Sequence, residues 1–236
     1  MRYILKAVPF TIGAILALAV GVSAASAALP EYKATSFPIA FTFKNASGVE
    51  PTLASYVEVG KVRNIVCKAS SGKGELASFS GTVYQKMLFT YTGCREQGVT
   101  PEKKCTSSGH SAGEVLTSTL EGTIGYAEGR SAKEVGLELK LASGKLSEFK
   151  CEGTAEKVTV DGCTIGEMGP LNTSGTTETL SFAEGASHKQ KWTKLEGKSG
   201  KCELTVHAGF FELGEGKGWL LSNETETFSA AVELKA

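Results

Sequence analysis

The sequence predicts an all-β protein: an antiparallel β-sandwich or barrel-like single domain that follows an N-terminal signal-peptide helix. Three observations carry this. Apolar residues alternate with period two in run after run, and clusters rich in Gly, Ser and Asn separate those runs. Few windows place apolar residues at the 3.6 spacing of an amphipathic helix.

Arg2 and Lys6 open the chain as a short positive region, and no charge follows from Ala7 to Ala28. The apolar run Ile12 to Val20 and the small residues Ala25-Ser26-Ala27 complete a signal-peptide pattern over residues 1–27, with cleavage expected between Ala27 and Ala28. An uncleaved anchor is the alternative, because 22 uncharged residues nearly span a bilayer. The density of Ala, Gly and Ser near the cut favours cleavage. The chain ends Glu233-Leu234-Lys235-Ala236, so no hydrophobic tail is expected to re-anchor it. Residues 28–236 then form a single disulfide-bonded, β-rich domain, secreted and extracellular.

Along that domain Phe37, Ile39, Phe41 and Phe43 alternate with Pro38, Ala40, Thr42 and Lys44. Thr82 to Tyr91 reads as a long strand entering Thr92-Gly93-Cys94. Val135, Leu137, Leu139 and Leu141 alternate, as do Val158 and Val160, and then Phe228, Ala230, Val232 and Leu234. The Thr, Val, Phe and Tyr in these runs suit a pleated, half-buried surface. Turns are expected at Ser70-Ser71-Gly72-Lys73-Gly74, Ser143-Gly144-Lys145, Asn172-Thr173-Ser174-Gly175 and Gly197-Lys198-Ser199-Gly200. Phe89 to Cys94 and Val158 to Cys163 share a strand ending in Gly-Cys.

Six cysteines remain after export, an even number that most simply means three disulfides. No Cys-x-x-Cys suggests a zinc ribbon or a thioredoxin-type site. Cys94 and Cys105 bracket the polar loop Arg95 to Lys104, which makes Cys94–Cys105 the natural local bridge. A tight turn at Gly153 to Glu156 would set Cys151 roughly opposite Val158, leaving Cys163 past it. The preferred set is therefore Cys94–Cys105, Cys67–Cys151 and Cys163–Cys202.

Cleavage removes two basic residues from 25 and no acidic ones from 25, so the mature domain is weakly acidic without a basic cluster. Nothing there predicts nucleic-acid binding. Only Asp161 is aspartate; the other acids are all glutamate.

Thr92-Gly93-Cys94, Cys105-Thr106-Ser107, Ala112-Gly113-Glu114-Val115, Gly122-Thr123-Ile124-Gly125-Tyr126, Val135-Gly136-Leu137 and Phe149-Lys150-Cys151 together resemble a group of uncharacterised secreted actinobacterial proteins. The similarity spans most of the mature chain and ends near Asn223-Glu224. It implies a secreted β protein of a Gram-positive-type envelope, with Cys163 and Cys202 as a bridge particular to this chain. It implies no activity, substrate or site.

Gly109-His110-Ser111-Ala112-Gly113 matches the nucleophile elbow of α/β-hydrolases, with Asp161 and then His188 or His207 in hydrolase order. The elbow needs a buried strand before Ser111 and a helix after it. Lys104 to Ser108 is polar, and Glu114 to Leu120 is Thr-rich and ends near Gly122. Gly197-Lys198-Ser199 looks like a P-loop end, but Trp192 stands where the first glycine is required. No histidine spacing predicts a metal, no acidic loop fits an EF-hand, and no cofactor is expected. Trp192, among Lys189, Gln190, Lys191 and Lys194, and Trp219, after a Gly-rich loop, are the candidates for stacking on a sugar ring. The alternative for Trp219 is the core. The sequence thus predicts a secreted non-enzymatic protein, an extracellular binding or envelope-associated structural module, with cell-wall polysaccharide or another envelope component as partner and no membrane contact after cleavage. The alternative is a secreted serine hydrolase using Ser111.

Overall fold

The computed structural model describes residues 29–58, 61–80, 82–129, 134–141, 144–154, 157–186, 189–208 and 215–236. The expected signal peptide, its Ala27/Ala28 cleavage site and His188 lie outside them. The described chain forms β1 (Glu31–Lys33), β2 (Ile39–Asn45), β3 (Thr52–Glu58), β4 (Lys61–Val66), β5 (Ala69–Leu76), β6 (Thr82–Thr92), β7 (Arg95–Glu96) and β8 (Lys103–Thr106). It continues through β9 (Val115–Leu116), β10 (Leu120–Tyr126), β11 (Val135–Lys140), β12 (Ser147–Cys151), β13 (Val158–Gly169), β14 (Ser174–Phe182), β15 (Leu204–Ala208) and β16 (Glu215–Lys235). Every pairing is antiparallel, as the alternation predicts.

The sheet closes on itself twice. One circuit runs β16–β2–β5–β6–β10–β11–β13–β14 and returns to β16. The other runs β13–β15–β16–β3–β4–β7–β8–β12 and returns to β13. Two eight-stranded barrels therefore share two long strands, β13 and β16. Closure satisfies strand edges that would otherwise invite aggregation. In β13, Val158 to Gly162 serve the second barrel and Cys163 to Gly169 the first. Gly162, at the change-over, has φ +91° and faces the Glu203 carbonyl so closely that an added Cβ would stand 2.0 Å from it. Only glycine fits there. Gly93 also has positive φ, but it ends a strand where Gly162 bends one, so the shared Gly-Cys pattern serves two purposes.

Ser70 to Gly74 is strand β5 and not the expected turn. A Cβ on Gly72 or Gly74 would collide with the Phe43 or Phe41 ring, so these glycines make room for two inward aromatic side chains on β2.

Register places four cysteines in one row across neighbouring strands. Val66 pairs with Arg95 and Arg95 with Lys104, which carries the row from Cys67 to Cys94 to Cys105; the Cys105 N–H donates to the Cys94 carbonyl at 3.0 Å. Cys105 pairs directly with Cys151. The bridges are Cys67–Cys94, Cys105–Cys151 and Cys163–Cys202. Two of the expected pairings are thereby corrected and the third is as expected. Bridging Cys94 to Cys105 would leave Cys67 and Cys151 three strand spacings apart, roughly 14 Å, well beyond disulfide reach. Three disulfides fit an oxidising compartment. Among the described residues no helix is long and apolar enough to cross a membrane.

The connection between β14 and β15 lies over the outer face of the first barrel. Its Trp192, Leu195 and Cys202 pack on Ala127 and Ile165. Gly125 and Gly136 pair across β10 and β11, and Leu195 occupies the hollow above them; a Cβ on either would meet Leu195 at 3.0–3.1 Å. Cys163–Cys202 pins the end of this connection to β13.

Candidate functional site

Where the two barrels meet lies a partly open cavity of ≈ 80 Å³. The first barrel contributes Phe89, Tyr91, Leu120 and Leu139; the second contributes Leu53, Ile65, Phe149 and Leu204. No charged side chain lines it. Two of its hydroxyls are committed elsewhere: Thr117 Oγ1 accepts from the Phe89 N–H at 3.0 Å, and Ser147 Oγ donates to the Leu116 carbonyl at 2.6 Å. The walls thus offer a guest aliphatic and aromatic surface.

The first barrel also buries a cluster of acids and phenols. On β16, Ser222, Glu224 and Glu226 share the inward face with Phe228, Val232 and Leu234. On β14, Glu178 shares it with Leu180 and Phe182, and Glu178 stands directly opposite Glu226. Tyr32 Oη donates to Glu178 Oε2 at 2.5 Å, Tyr84 Oη lies 2.8 Å from Glu226 Oε2, and the two phenol oxygens are 2.7 Å apart. Ser70 and Ser222 donate to Glu224. Burial pushes the Glu178 carboxyl up to about 7 and the Glu226 carboxyl up to about 8, with Glu178 raising the latter further. Burial also raises Glu224, Tyr32 and Tyr84. These residues were not foreseen as a site. The signal was there, since Glu224, Glu226 and Glu178 fall in phase with the apolar residues of their own strands.

The residues singled out by sequence sit elsewhere. Ser111 lies exposed in the turn joining β8 to β9, between Gly109 (φ +82°) and Gly113 (φ +83°). Its N–H donates to Glu114 Oε2 at 3.3 Å, and its hydroxyl has no hydrogen-bond partner among the described residues. A strand and not a helix follows it, so the frame that would aim amides at an oxyanion is missing. Asp161 and His207 do come together, 3.4 Å apart on β13 and β15, as a half-exposed cross-strand pair. Lys198-Ser199 lies in a turn whose Lys198 N–H donates to the Leu195 carbonyl. Trp192 and Trp219 are 4% and 2% exposed, so neither presents a ring face to a sugar, and the stacking expectation is corrected for both. Trp192, within the outer connection, packs in the cluster of Ala127, Ile165, Leu195 and Cys202, with Lys191 Nζ 4.6 Å from the ring centre. Trp219 pairs with Ala54 across β16 and β3. Among the described residues no group of three or more His, Cys, Asp or Glu side chains could hold a metal ion. Comparisons with family models, with curated proteins and with solved structures find no match to this chain.

Proposed function

We propose that this is an exported, non-enzymatic binding protein whose ligand is a small uncharged apolar group, held in the cavity between the two barrels. The carrying observation is the cavity's lining, which offers apolar walls and no charge. The leader pattern ending Ala25-Ser26-Ala27 supports export, as does the resemblance to secreted actinobacterial proteins, and three disulfides fit that destination. The cavity is about half the size of the 150 Å³ apolar cavity that admits benzene in another protein. A short alkyl chain, or the end of a longer one, matches it better than a ring.

Straight-chain primary alcohols from butanol to decanol test this. Calorimetric titration of the full mature domain is expected to show saturable binding that strengthens with chain length and then levels off once the cavity is filled. Leu146→Phe and Val160→Phe, which fill the cavity from two walls, are expected to abolish binding while keeping the fold. Absence of saturable binding by every alcohol, or unchanged binding by both filled variants, overturns the reading.

A further inference from the structure

We infer that Tyr32, Tyr84, Glu178 and Glu226 form a proton-holding lock inside the first barrel, in which one carboxyl of the Glu178–Glu226 pair stays protonated at neutral pH. Counting protons leads there. Three oxygen–oxygen contacts link the four side chains: Glu178 to Tyr32, Tyr32 to Tyr84, and Tyr84 to Glu226. Each hydrogen bond needs one proton, and two phenols supply two. The third proton has to come from a carboxyl. One directed chain then satisfies every contact, with Glu226 donating to Tyr84, Tyr84 to Tyr32, and Tyr32 to an ionised Glu178.

The surroundings favour holding that proton. Glu178 and Glu226 are opposed on paired strands, 3% and 0% exposed, so two negative charges would face each other without water. Glu224, one inward position along β16, adds a further acid, although Ser70 from β5 and Ser222 satisfy it. Tyr91 on β6 feels that same carboxyl. Aromatic rings also cover the cluster: Phe41 of β2 packs on Tyr84, and Phe228 of β16 packs on Tyr32. No lysine, arginine or histidine is among the buried described residues. Among the described residues, a proton is the only buried counter-charge at the site.

The lock has a direction. When the shared proton leaves, each phenol donates to its own carboxylate, and the 2.7 Å contact between Tyr32 and Tyr84 loses its hydrogen. Tyr32 is the anchor of β1, a three-residue strand paired with Lys235, Leu234 and Glu233 of β16 and tied further by the Tyr32 N–H, which donates to the Phe79 carbonyl at 2.7 Å. Alkaline medium therefore loosens β1 first. The carboxyl is raised in the folded protein above its ordinary value near 4.5, so its stabilisation is complete below that pH and is lost as pH climbs through about 7 to 8. Glu148, held down to about 2 by Lys145 and Lys157, titrates below this window and does not obscure it.

Urea unfolding of the full mature domain, with disulfides intact, reads the effect. The unfolding constant is expected to rise by at least about tenfold per pH unit between about pH 5 and 7, the slope for one or more protons released on unfolding, and to flatten above about 8. Glu226→Gln, whose amide can donate to Tyr84 without titrating, is expected to lower that slope by about one proton. Infrared spectra need no variant: a protonated-carboxyl carbonyl band present at pH 7 and absent above pH 9 is expected. A flat wild-type profile, an unchanged slope in Glu226→Gln, or no carboxylic-acid band at pH 7 overturns the proposal. So does restoration of stability at pH 9 by millimolar calcium, which would make the site a cation site.

Discussion

At the scale of single residues, the cysteine row offers a sharper test of register than any strand boundary. Cys94 neighbours both Cys67, its bridge partner, and Cys105, which is bridged onward to Cys151. Cys151→Ser leaves Cys105 as a thiol beside an intact disulfide. Its thiolate attacks the Cys94 sulfur, the Cys94–Cys105 bond forms, and Cys67 leaves as the new thiolate. Cys94 already neighbours both Cys67 and Cys105, so the exchange needs no change of strand pairing. Alkylation after acid quenching, followed by peptide mapping, is expected to label Cys67 in this variant. Label confined to Cys105 would show that the row does not exchange. The bridge placed between Cys94 and Cys105 by loop length alone thus names true neighbours. The choice between them was not legible, because it depends on where Cys67 and Cys151 end up, which only the order of strands around the second barrel decides.

At the scale of elements, β13 and β16 are what make one sheet into two barrels. Their alternation was legible in part: Val158 and Val160 at the start of β13, and Phe228 to Leu234 at the end of β16. Their full lengths were not, because Gly162 and the acidic residues Glu224 and Glu226 interrupt the apolar pattern that a sequence reader follows. Gly72 and Gly74 misled for a related reason. Glycine there answers to an aromatic ring on the next strand, and nothing local distinguishes that from a turn. Gly162→Ala tests the change-over directly. The residue's positive φ and its approach to the Glu203 carbonyl make both the backbone and the packing unfavourable for a Cβ. A loss of about 2–4 kcal/mol is expected, measured by urea unfolding. Gly144→Ala, also at positive φ but in open space, is expected to cost about 1 kcal/mol. Equal losses at the two positions would mean that the close approach at Gly162 carries no weight.

At the scale of the whole molecule, fold and compartment are linked through the disulfides. The all-β, barrel-like class was legible because alternation and turn chemistry are local properties of the chain. The cavity was not, since Phe89, Leu139, Phe149 and Leu204 are far apart in sequence and meet only when both circuits close. Closure of the second circuit brings the cysteine row together and sets two of the three disulfides across it, so the fold and its redox state stand together. In a reducing compartment the paired strands β7 and β8, only two and four residues long, would lose the bridges at their shared end. Three disulfides fit an oxidising compartment, and the proposed leader over residues 1–27 is the route to it. Intact mass of the protein recovered from culture medium, alkylated without reduction, tests that route. The expected mass begins at Ala28 and carries no alkyl group. A chain recovered at full length would mean that residues 1–27 stay on as an anchor and that ligand capture takes place at a membrane surface. A cleaved chain with alkylated cysteines would mean instead that the row is incompletely oxidised, and that the second barrel closes by strand pairing alone.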